Sequence, residues 1–262
     1  MPRVFANHIH LNYVEAGRGE PPLVLLHGVG GSHEMWLPLL PALSGTRRVI
    51  AGDHRGHGAS DKPRGPYTTH LLADDWLAAL DGLGVARADL LGLSLGGAVA
   101  MRLAVAHPER VRRLVLLDTW GVAYPEFAAL MRERLAVLAQ GDLRAYADLS
   151  ISQVFSDDYA RRHPDEMEAY RGRAGKADLA TLGSAVGACI THDMQGDLTR
   201  ITAPTLIVVG RQDRLTPPAY AEHLMASIPG ATLAVVEGVA HFPHVERPQE
   251  FLGILTPFLE GG

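Results

Sequence analysis

The chain has 262 residues, of which 47% are hydrophobic and 20% are charged, and this composition suits one large globular domain or one domain with an insertion. The formal net charge of −5 gives no electrostatic case for binding nucleic acid or an anionic membrane, and the single cysteine excludes an internal disulfide framework. Because the N-terminal segment lacks a signal-peptide core and no apolar run reaches the length of a membrane span, we expect a soluble cytoplasmic protein.

The first part of the chain alternates strands with turns and helices. The segment "HLNYVEAG" predicts an early strand that ends at Gly17, and the apolar run at 22–26 predicts a strand buried on both faces. A short strand over about 48–52 stops at Asp53, and apolar spacing predicts a helix over 69–83. The segment "ADLLGL" then predicts a strand, "GGAVAMRLAVAHPERV" a helix, and "RRLVLLDT" a further strand.

Residues 122–196 interrupt this alternation, because their pattern is mostly helical and contains no convincing buried strand. The alternation resumes with the strand "APTLIVVG", the helix "PPAYAEHLMASI", the strand "ATLAVVEG" and the helix "PQEFLGILTPFLE". The predicted fold is therefore α/β, with a mostly parallel central sheet and helices on both faces. We expect residues 1–121 and 197–262 to form this core and residues 122–196 to form a helical lid over it.

Ser94 lies in "GLSLG" at residues 92–96, between the strand "ADLLGL" and the helix that follows. A serine between two glycines at a tight strand-to-helix turn is typical of a nucleophile elbow, where the hydroxyl is exposed beside a helix N-terminus. One alternative is a glycine-rich packing joint with an incidental serine. Another is a phosphate-binding loop, but no lysine follows the glycines and the G-x-G-x-x-G spacing is absent.

A serine nucleophile needs a histidine base that is held by a carboxylate. His241 follows the last predicted strand at the same sheet edge as Ser94, whereas His244 is expected to be a surface or lid-facing residue. Asp213 and Asp118 both follow strands at this edge, and we favour Asp213 because its loop neighbours that of His241. The resulting order Ser94, Asp213, His241 is the chain order expected for this kind of triad.

The oxyanion that forms during acyl transfer needs backbone donors. Leu95 directly follows the nucleophile, and the glycine-rich loop at 27–31 supplies a second donor, for which we choose Val29, with His27 orienting the loop. The residues predicted to line the substrate pocket are His27, Gly28, Trp36, Trp120, Tyr124 and Phe127, with ordinary core or lid packing as the alternative for the aromatic ones. Four lid arginines are candidate partners for a substrate carboxylate, unless they are simply solvated: Arg132, Arg134, Arg161 and Arg162.

Six ordered segments together resemble the α/β-hydrolase superfamily: "HGVGG", "GDHRGHGASDKP", "GLSLGG", "AHPERVRRLVLLDT", "PTLIVVGRQDRLTPP" and "VEGVAHFPHVERPQEF". Within it, the chain is most similar to the 3-oxoadipate enol-lactonases and neighbouring small esterases. This resemblance implies a serine hydrolase that cleaves a small carboxylic ester or lactone through an acyl-enzyme, without a metal or cofactor. It also makes Asp53, His54 and His57 a structural turn, and Cys189 is expected to be a packing residue.

Three alternatives stay open at this stage, of which cofactor-free haloperoxidase or perhydrolase activity would use the same triad. A second is a C–C bond hydrolase of ring-fission products, which has a similar length and motif order. The third is a small-molecule receptor that keeps the triad. Haloalkane dehalogenases and epoxide hydrolases use an aspartate nucleophile, so the serine at position 94 argues against both.

Overall fold

The computed structural model describes residues 2–261, and an eight-stranded sheet forms its centre. The strands are β1 (Arg3–Ala6), β2 (Ile9–Ala16), β3 (Leu23–Leu26), β4 (Val49–Gly52), β5 (Ala88–Leu93), β6 (Val111–Leu117), β7 (Thr205–Gly210) and β8 (Thr232–Val236). Their order in the sheet is β1-β2-β4-β3-β5-β6-β7-β8. Six strands from β4 to β8 run parallel, whereas β2 pairs antiparallel with both β1 and β4.

The helices are α1 (Leu40–Leu43), α2 (Thr69–Gly82), α3 (Leu95–Ala106), α4 (Pro125–Ala139), α5 (Leu143–Val154), α6 (Asp157–Arg162), α7 (Pro164–Ala174), α8 (Leu179–Ile190), α9 (Pro218–Ser227), α10 (Pro243–Glu246) and α11 (Pro248–Glu260). Five of them, α4 to α8, lie between β6 and β7. The described residues of that segment form no strand. In the part of the chain that the structure describes, no helix is long and apolar enough to cross a membrane.

Both faces of the sheet are buried, because alternate residues of each central strand enter different cores. In β3, Val24 and Leu26 pack in the core that contains Trp76 of α2, whereas Leu23 and Leu25 pack in the core that contains Phe251 of α11. Side chains alternate across a strand, so a continuous apolar run is what a strand covered by helices on both faces requires. The α/β architecture predicted from the sequence is confirmed, and the antiparallel strand β1 is an addition to it.

Candidate active site

Ser94 occupies the turn between β5 and α3 in a left-handed backbone conformation, with φ of 52° and ψ of −116°. Only glycine fits at positions 92 and 96, because neighbouring backbone atoms come too close to leave room for a side chain. A Cβ at Gly92 would lie 2.3 Å from the carbonyl oxygen of Gly96, and a Cβ at Gly96 would lie 2.1 Å from that of Leu26. No side chain fits at these distances, so the glycines permit a turn tight enough to present the serine at the carboxyl end of the sheet.

Two backbone N–H groups are available around this hydroxyl. Leu95 is the first residue of α3, so its N–H has no acceptor within the helix. The loop after β3 approaches from the other side, because a Cβ on Gly28 would lie 3.3 Å from that of Ser94. Val29, the next residue of that loop, borders the same cavity as Ser94. Both predicted donor positions therefore lie on the segments that flank the serine.

A cluster of buried histidines holds the loop after β3 in place. His57 donates through Nδ1 to the carbonyl of Arg55 at 3.0 Å, which leaves its Nε2 to accept the backbone N–H of Gly30 at 3.1 Å. His27 Nε2 accepts the backbone N–H of His54 at 3.0 Å, and His54 Nε2 donates to the carbonyl of His27 at 2.9 Å. Burial lowers the pKa of His27 to about 3 and also lowers the pKa of His54 and His57, so the cluster is neutral.

The contribution of His57 to this loop was not anticipated from the sequence. The segment that contains His57 is expected from the resemblance to be a structural turn, and it is one, but the turn also supports the loop that faces Ser94. The spacing of histidine and glycine in "HRGHG" is the only signal of it, and this spacing does not reveal the distant partner Gly30.

Asp213 and His241 are joined by a short hydrogen bond of 2.7 Å between Asp213 Oδ2 and His241 Nδ1. Both side chains are buried. Asp213 also accepts from the hydroxyl of Thr216 and from the backbone N–H groups of Leu215 and Thr216. Burial alone would raise the pKa of Asp213, but the adjacent His241 imidazole and these hydrogen bonds outweigh it and lower the pKa. The carboxylate is thus kept ionised and fixed in orientation toward the imidazole.

Asp118, the other candidate acid, lies beside this pair without bonding to the histidine. One ligand-type atom from each of Asp118, Asp213 and His241 lies within 4.8 Å of the others. Asp118 Oδ1 accepts the backbone N–H of Gly210 at 2.9 Å, and its backbone is left-handed, with φ of 42°. Burial and the adjacent Asp213 raise the pKa of Asp118 well above its usual value, so the group is neutral. Asp213 is therefore the carboxylate that holds His241.

Ser94 and His241 both border one cavity of about 630 Å³, although no hydrogen bond joins the Ser94 hydroxyl to His241 in the described chain. Such contacts are often long in unliganded enzymes and shorten when substrate binds. The cavity is closed on one side by the loop after β3 and on the other by helices between β6 and β7. It is large enough for a small-molecule substrate.

Most of the predicted pocket residues lie elsewhere, and the prediction is corrected for five of them: His27, Trp36, Trp120, Tyr124 and Phe127. Only Gly28 of the predicted set borders the cavity. Three of the aromatic residues pack against other side chains instead. Trp120 packs on Phe127 with 4.3 Å between ring centres, and Tyr124 stacks on Tyr220 with 3.6 Å between ring centres. Trp36 and His27 are fully buried.

The segment between β6 and β7 also contributes side chains to the cavity, and four aromatic ones among them were not predicted from the sequence: Tyr146, Phe155, Tyr159 and Tyr170. Of the four lid arginines considered as carboxylate partners, Arg134 is the one that borders the cavity, whereas Arg132 is exposed and Arg161 and Arg162 pair with Asp158.

His244 was predicted to be a surface or lid-facing residue; it is buried, which rules out the surface position but not the lid-facing one. It borders the cavity and lies 4.9 Å from Trp36 between ring centres. Burial, together with the neighbouring His241, lowers its pKa to about 3. It is therefore a neutral side chain at physiological pH.

Comparison with known proteins agrees with this architecture. The model of the alpha/beta hydrolase fold family matches residues 21–248. The chain is 32% identical over 246 residues to RutD of Pseudomonas savastanoi, a candidate carbamate hydrolase, covering 91% of this chain and 93% of that one. It is 30% identical to 3-oxoadipate enol-lactonase 2 of Acinetobacter baylyi, covering 94% and 91% of the two chains.

A solved structure of a hydrolase from Pseudomonas aeruginosa superimposes with a TM-score of 0.92 at 37% identity, over 98% of this chain and 97% of that one. The family match spans most of the chain and includes the segments that carry Ser94, Asp213 and His241. The chain therefore belongs to the alpha/beta hydrolase family and is a hydrolase.

Proposed function

We propose that this hydrolase cleaves a small carboxylic ester or lactone through an acyl-enzyme, with Ser94 as nucleophile, His241 as base and Asp213 as the acid that orients it. The observation that carries the proposal is the 2.7 Å bond from His241 to a buried, ionised Asp213, in the cavity that Ser94 also borders. The similarity to an enol-lactonase supports the substrate class.

In this mechanism His241 removes the proton of the Ser94 hydroxyl as its oxygen attacks the carbonyl carbon of the substrate. The resulting oxyanion accepts hydrogen bonds from the N–H groups of Leu95 and Val29. Collapse of this intermediate breaks the ester C–O bond, and His241 returns the proton to the leaving alkoxide. Water then attacks the acyl-enzyme by the same steps and releases the acid.

We further propose that residues 122–196 form a cap over a core made of residues 1–121 and 197–262. The cap helices supply cavity-lining side chains, whereas Ser94, Asp213 and His241 all belong to the core. Such a division assigns the reaction to the sheet edge and substrate choice to the helices above it.

The proposal is tested with Ser94→Ala assayed on short p-nitrophenyl esters, five-membered lactones and a C–C bond substrate. We expect kcat on esters and lactones to fall by more than about 10³-fold, because the hydroxyl performs the reaction. Ser152→Ala, which removes an exposed hydroxyl on α5, is the matched control and should behave as wild type.

Wild-type protein should complete many turnovers and be labelled at Ser94 by a fluorophosphonate. A Ser94→Ala protein with more than about a hundredth of the wild-type kcat would contradict the nucleophile assignment. A single turnover would instead favour a receptor, and activity confined to the C–C substrate would favour that class of hydrolase.

A further inference from the structure

The cavity that Ser94 borders contains a second histidine held by a carboxylate. His33 begins the short 3₁₀ helix His33–Trp36, and its Nδ1 lies 2.8 Å from Asp53 Oδ1. The backbone N–H of His33 donates to the same oxygen at 2.7 Å. Both side chains are buried, with exposed fractions of 4% for His33 and 0% for Asp53. The hydrolytic steps proposed at Ser94 do not use this pair.

Asp53 accepts hydrogen bonds on both of its carboxylate oxygens. In addition to the two donors of His33 on Oδ1, its Oδ2 accepts the side-chain amide of Asn12 and the backbone N–H of Ala59, each at 2.9 Å. Burial alone would raise the pKa of Asp53, but the His27 imidazole and these hydrogen bonds outweigh it and lower the pKa. Because an ionised carboxylate can only accept, the Nδ1 of His33 carries the proton that is donated to Asp53.

The other ring nitrogen of His33 is available to a ligand. In the neutral ring a proton on Nδ1 leaves Nε2 with a lone pair, so Nε2 is a hydrogen-bond acceptor. Across residues 2–261 this Nε2 has no hydrogen-bond partner, and it is not one of the fully buried polar atoms that lack one. His33 borders the cavity of about 630 Å³ that Ser94 and His241 also border. The open acceptor and the candidate nucleophile therefore belong to one chamber.

Four histidines border this cavity, and they differ in which ring nitrogens remain available. The Nε2 of His57 is occupied by the N–H of Gly30, and both ring nitrogens of His244 are fully buried. Among the described residues that border the cavity, only His33 and His241 combine an Nδ1 on a buried carboxylate with an open Nε2. Since His241 is the candidate base, His33 is left as a second polar contact for the substrate.

The loop that leads to His33 is the one that flanks Ser94. A Cβ on Gly28 would lie 3.3 Å from that of Ser94, and the Gly31 N–H donates to the Gly28 carbonyl at 3.1 Å, which closes a turn just before His33. Together with the two bonds to Asp53, this turn holds the imidazole at a fixed position relative to the serine, as a specificity-determining residue requires.

The electrostatics of the pair indicate which chemical groups it can bind. An acceptor nitrogen that is backed by an ionised carboxylate repels anions and other acceptors, and it attracts an O–H or N–H group. A site built around such an acceptor disfavours an analogue without the donor, because its acceptor then stays unpaired when the substrate excludes water.

We propose that His33 is a specificity-determining residue whose Nε2 accepts a hydrogen bond from an uncharged O–H or N–H group of the substrate. The preferred ester or lactone then carries such a donor away from the reacting bond. The inference rests on the proposed function for its reacting bond, but the hydrogen-bonding site itself does not depend on it.

The test compares substrates that differ only in the donor. Methyl lactate and methyl 3-hydroxybutyrate supply a hydroxyl, and N-acetylglycine methyl ester supplies an N–H. The matching methoxy and N-methyl esters keep the heteroatom but lack the donor. Wild-type kcat/KM should be about 5-fold to 100-fold higher on at least one donor ester than on its methylated partner, and the pair in which this happens identifies the donor as O–H or N–H.

Two substitutions separate recognition of the substrate from support of Asp53. His33→Asn keeps an N–H near the position of Nδ1 but has no atom at the position of Nε2, so it should lose the preference for the donor ester. His33→Gln places an amide oxygen near the position of Nε2 and should retain part of that preference. His70→Asn, at an exposed histidine on α2, is the control and should leave the preference unchanged.

A second measurement is independent of turnover. In long-range proton–nitrogen NMR of Ser94→Ala protein at neutral pH, the His33 signals are assigned by their loss in Ser94→Ala/His33→Asn. They should show a protonated Nδ1 and an unprotonated Nε2. The preferred donor ester should shift the Nε2 signal, and its methylated partner should not.

A wild-type preference that survives in His33→Asn and is lost in His33→Gln would show that His33 only supports Asp53. That result, a protonated Nε2 at neutral pH, or the absence of any donor preference in wild type would each overturn the proposal. A shift of the Nε2 signal without hydrolysis of any ester would leave the His33 site standing and refute the proposed function. Hydrolysis of esters with no preference and no shift would do the reverse.

Discussion

Two carboxylates with opposite protonation states lie side by side near His241. Asp213 is surrounded by donors and is ionised, whereas Asp118 accepts one backbone N–H and is neutral because burial and Asp213 both oppose its charge. Only one of them can be charged at this spacing, since like charges in a buried site repel strongly. The arrangement assigns the electrostatic role to Asp213 and leaves Asp118 as its uncharged neighbour.

Exchanging each carboxylate for an amide separates these roles. Asp213→Asn should lower kcat on an ester about 10⁴-fold with KM little changed, because the imidazolium that forms on His241 loses its counter-charge and its tautomer is no longer fixed. Asp118→Asn should cost much less than that, because the amide oxygen can still accept from Gly210. Steady-state kinetics on both variants checks the ranking, and the reverse order would move the acid to Asp118.

The free energies of unfolding of Asp118→Asn and Asp213→Asn, each measured relative to wild type, should change in opposite directions as the pH rises. The pKa of Asp118 is raised above the unfolded value of about 3.8, so its contribution to stability is lost as the pH rises above that value. The free energy of unfolding of Asp118→Asn, measured relative to wild type in urea, should therefore increase between pH 4 and pH 7.

The pKa of Asp213 is shifted in the opposite direction to that of Asp118, so the same urea measurement should give the opposite trend with pH. Its pKa is lowered, so its contribution is present above about 3.8 and is lost as the pH falls through the folded pKa. Asp213→Asn should consequently become less stable relative to wild type as the pH rises from acid toward neutrality. Parallel curves for the two variants would contradict the assigned protonation states.

At the scale of elements, the helices between β6 and β7 are attached to the His241 loop by one side chain in particular. Glu246 of α10 accepts from the Ser156 hydroxyl at 2.5 Å, from the Ser156 backbone N–H at 3.1 Å and from the Ala240 backbone N–H at 3.2 Å. Ser156 caps α6, and Ala240 precedes His241. The carboxylate therefore ties the inserted helices to the segment that carries the candidate base.

Glu246→Gln should weaken this attachment, because the amide oxygen can keep the two backbone N–H groups that donate to Oε1, but the amide N–H₂ then replaces the oxygen that accepts from the Ser156 hydroxyl. We expect kcat/KM to fall about tenfold and the free energy of unfolding to fall by about 1–3 kcal/mol. Limited proteolysis should cut faster within 155–163. Glu250→Gln, an exposed carboxylate on α11, is the control, and identical behaviour of the two variants would refute the role of Glu246.

Element positions also explain which parts of the site were predictable. The carboxyl ends of parallel strands meet at one sheet edge, so the proximity of Asp213 and His241 follows from the order of strands and loops in the sequence. The direction of a side chain just beyond a strand does not follow from that order. Trp120 illustrates this, because it is buried and packs on Phe127 of α4 rather than bordering the cavity.

On the scale of the whole molecule, the buried parallel sheet was predictable because its strands are continuous apolar runs. The partners of β1 and β2 were not, since antiparallel pairing at an edge depends on long-range contacts. The same holds for the part of the cavity lining that the inserted helices supply, because these helices begin about 30 residues after Ser94 in sequence. Local patterns therefore predicted that Ser94, Asp213 and His241 share one sheet edge, whereas they did not predict the side chains that line the cavity.

The backbone conformation at Ser94 limits how far the thermal stability of the protein can be raised without loss of activity. Its left-handed conformation costs a non-glycine residue about 1–3 kcal/mol, and a glycine would adopt it without that cost. A selection for heat resistance alone would therefore favour glycine at this position and eliminate the proposed nucleophile. Engineering for thermal tolerance must exclude position 94 from its mutable set and seek its gains far from the sheet edge, where tolerance and turnover do not compete.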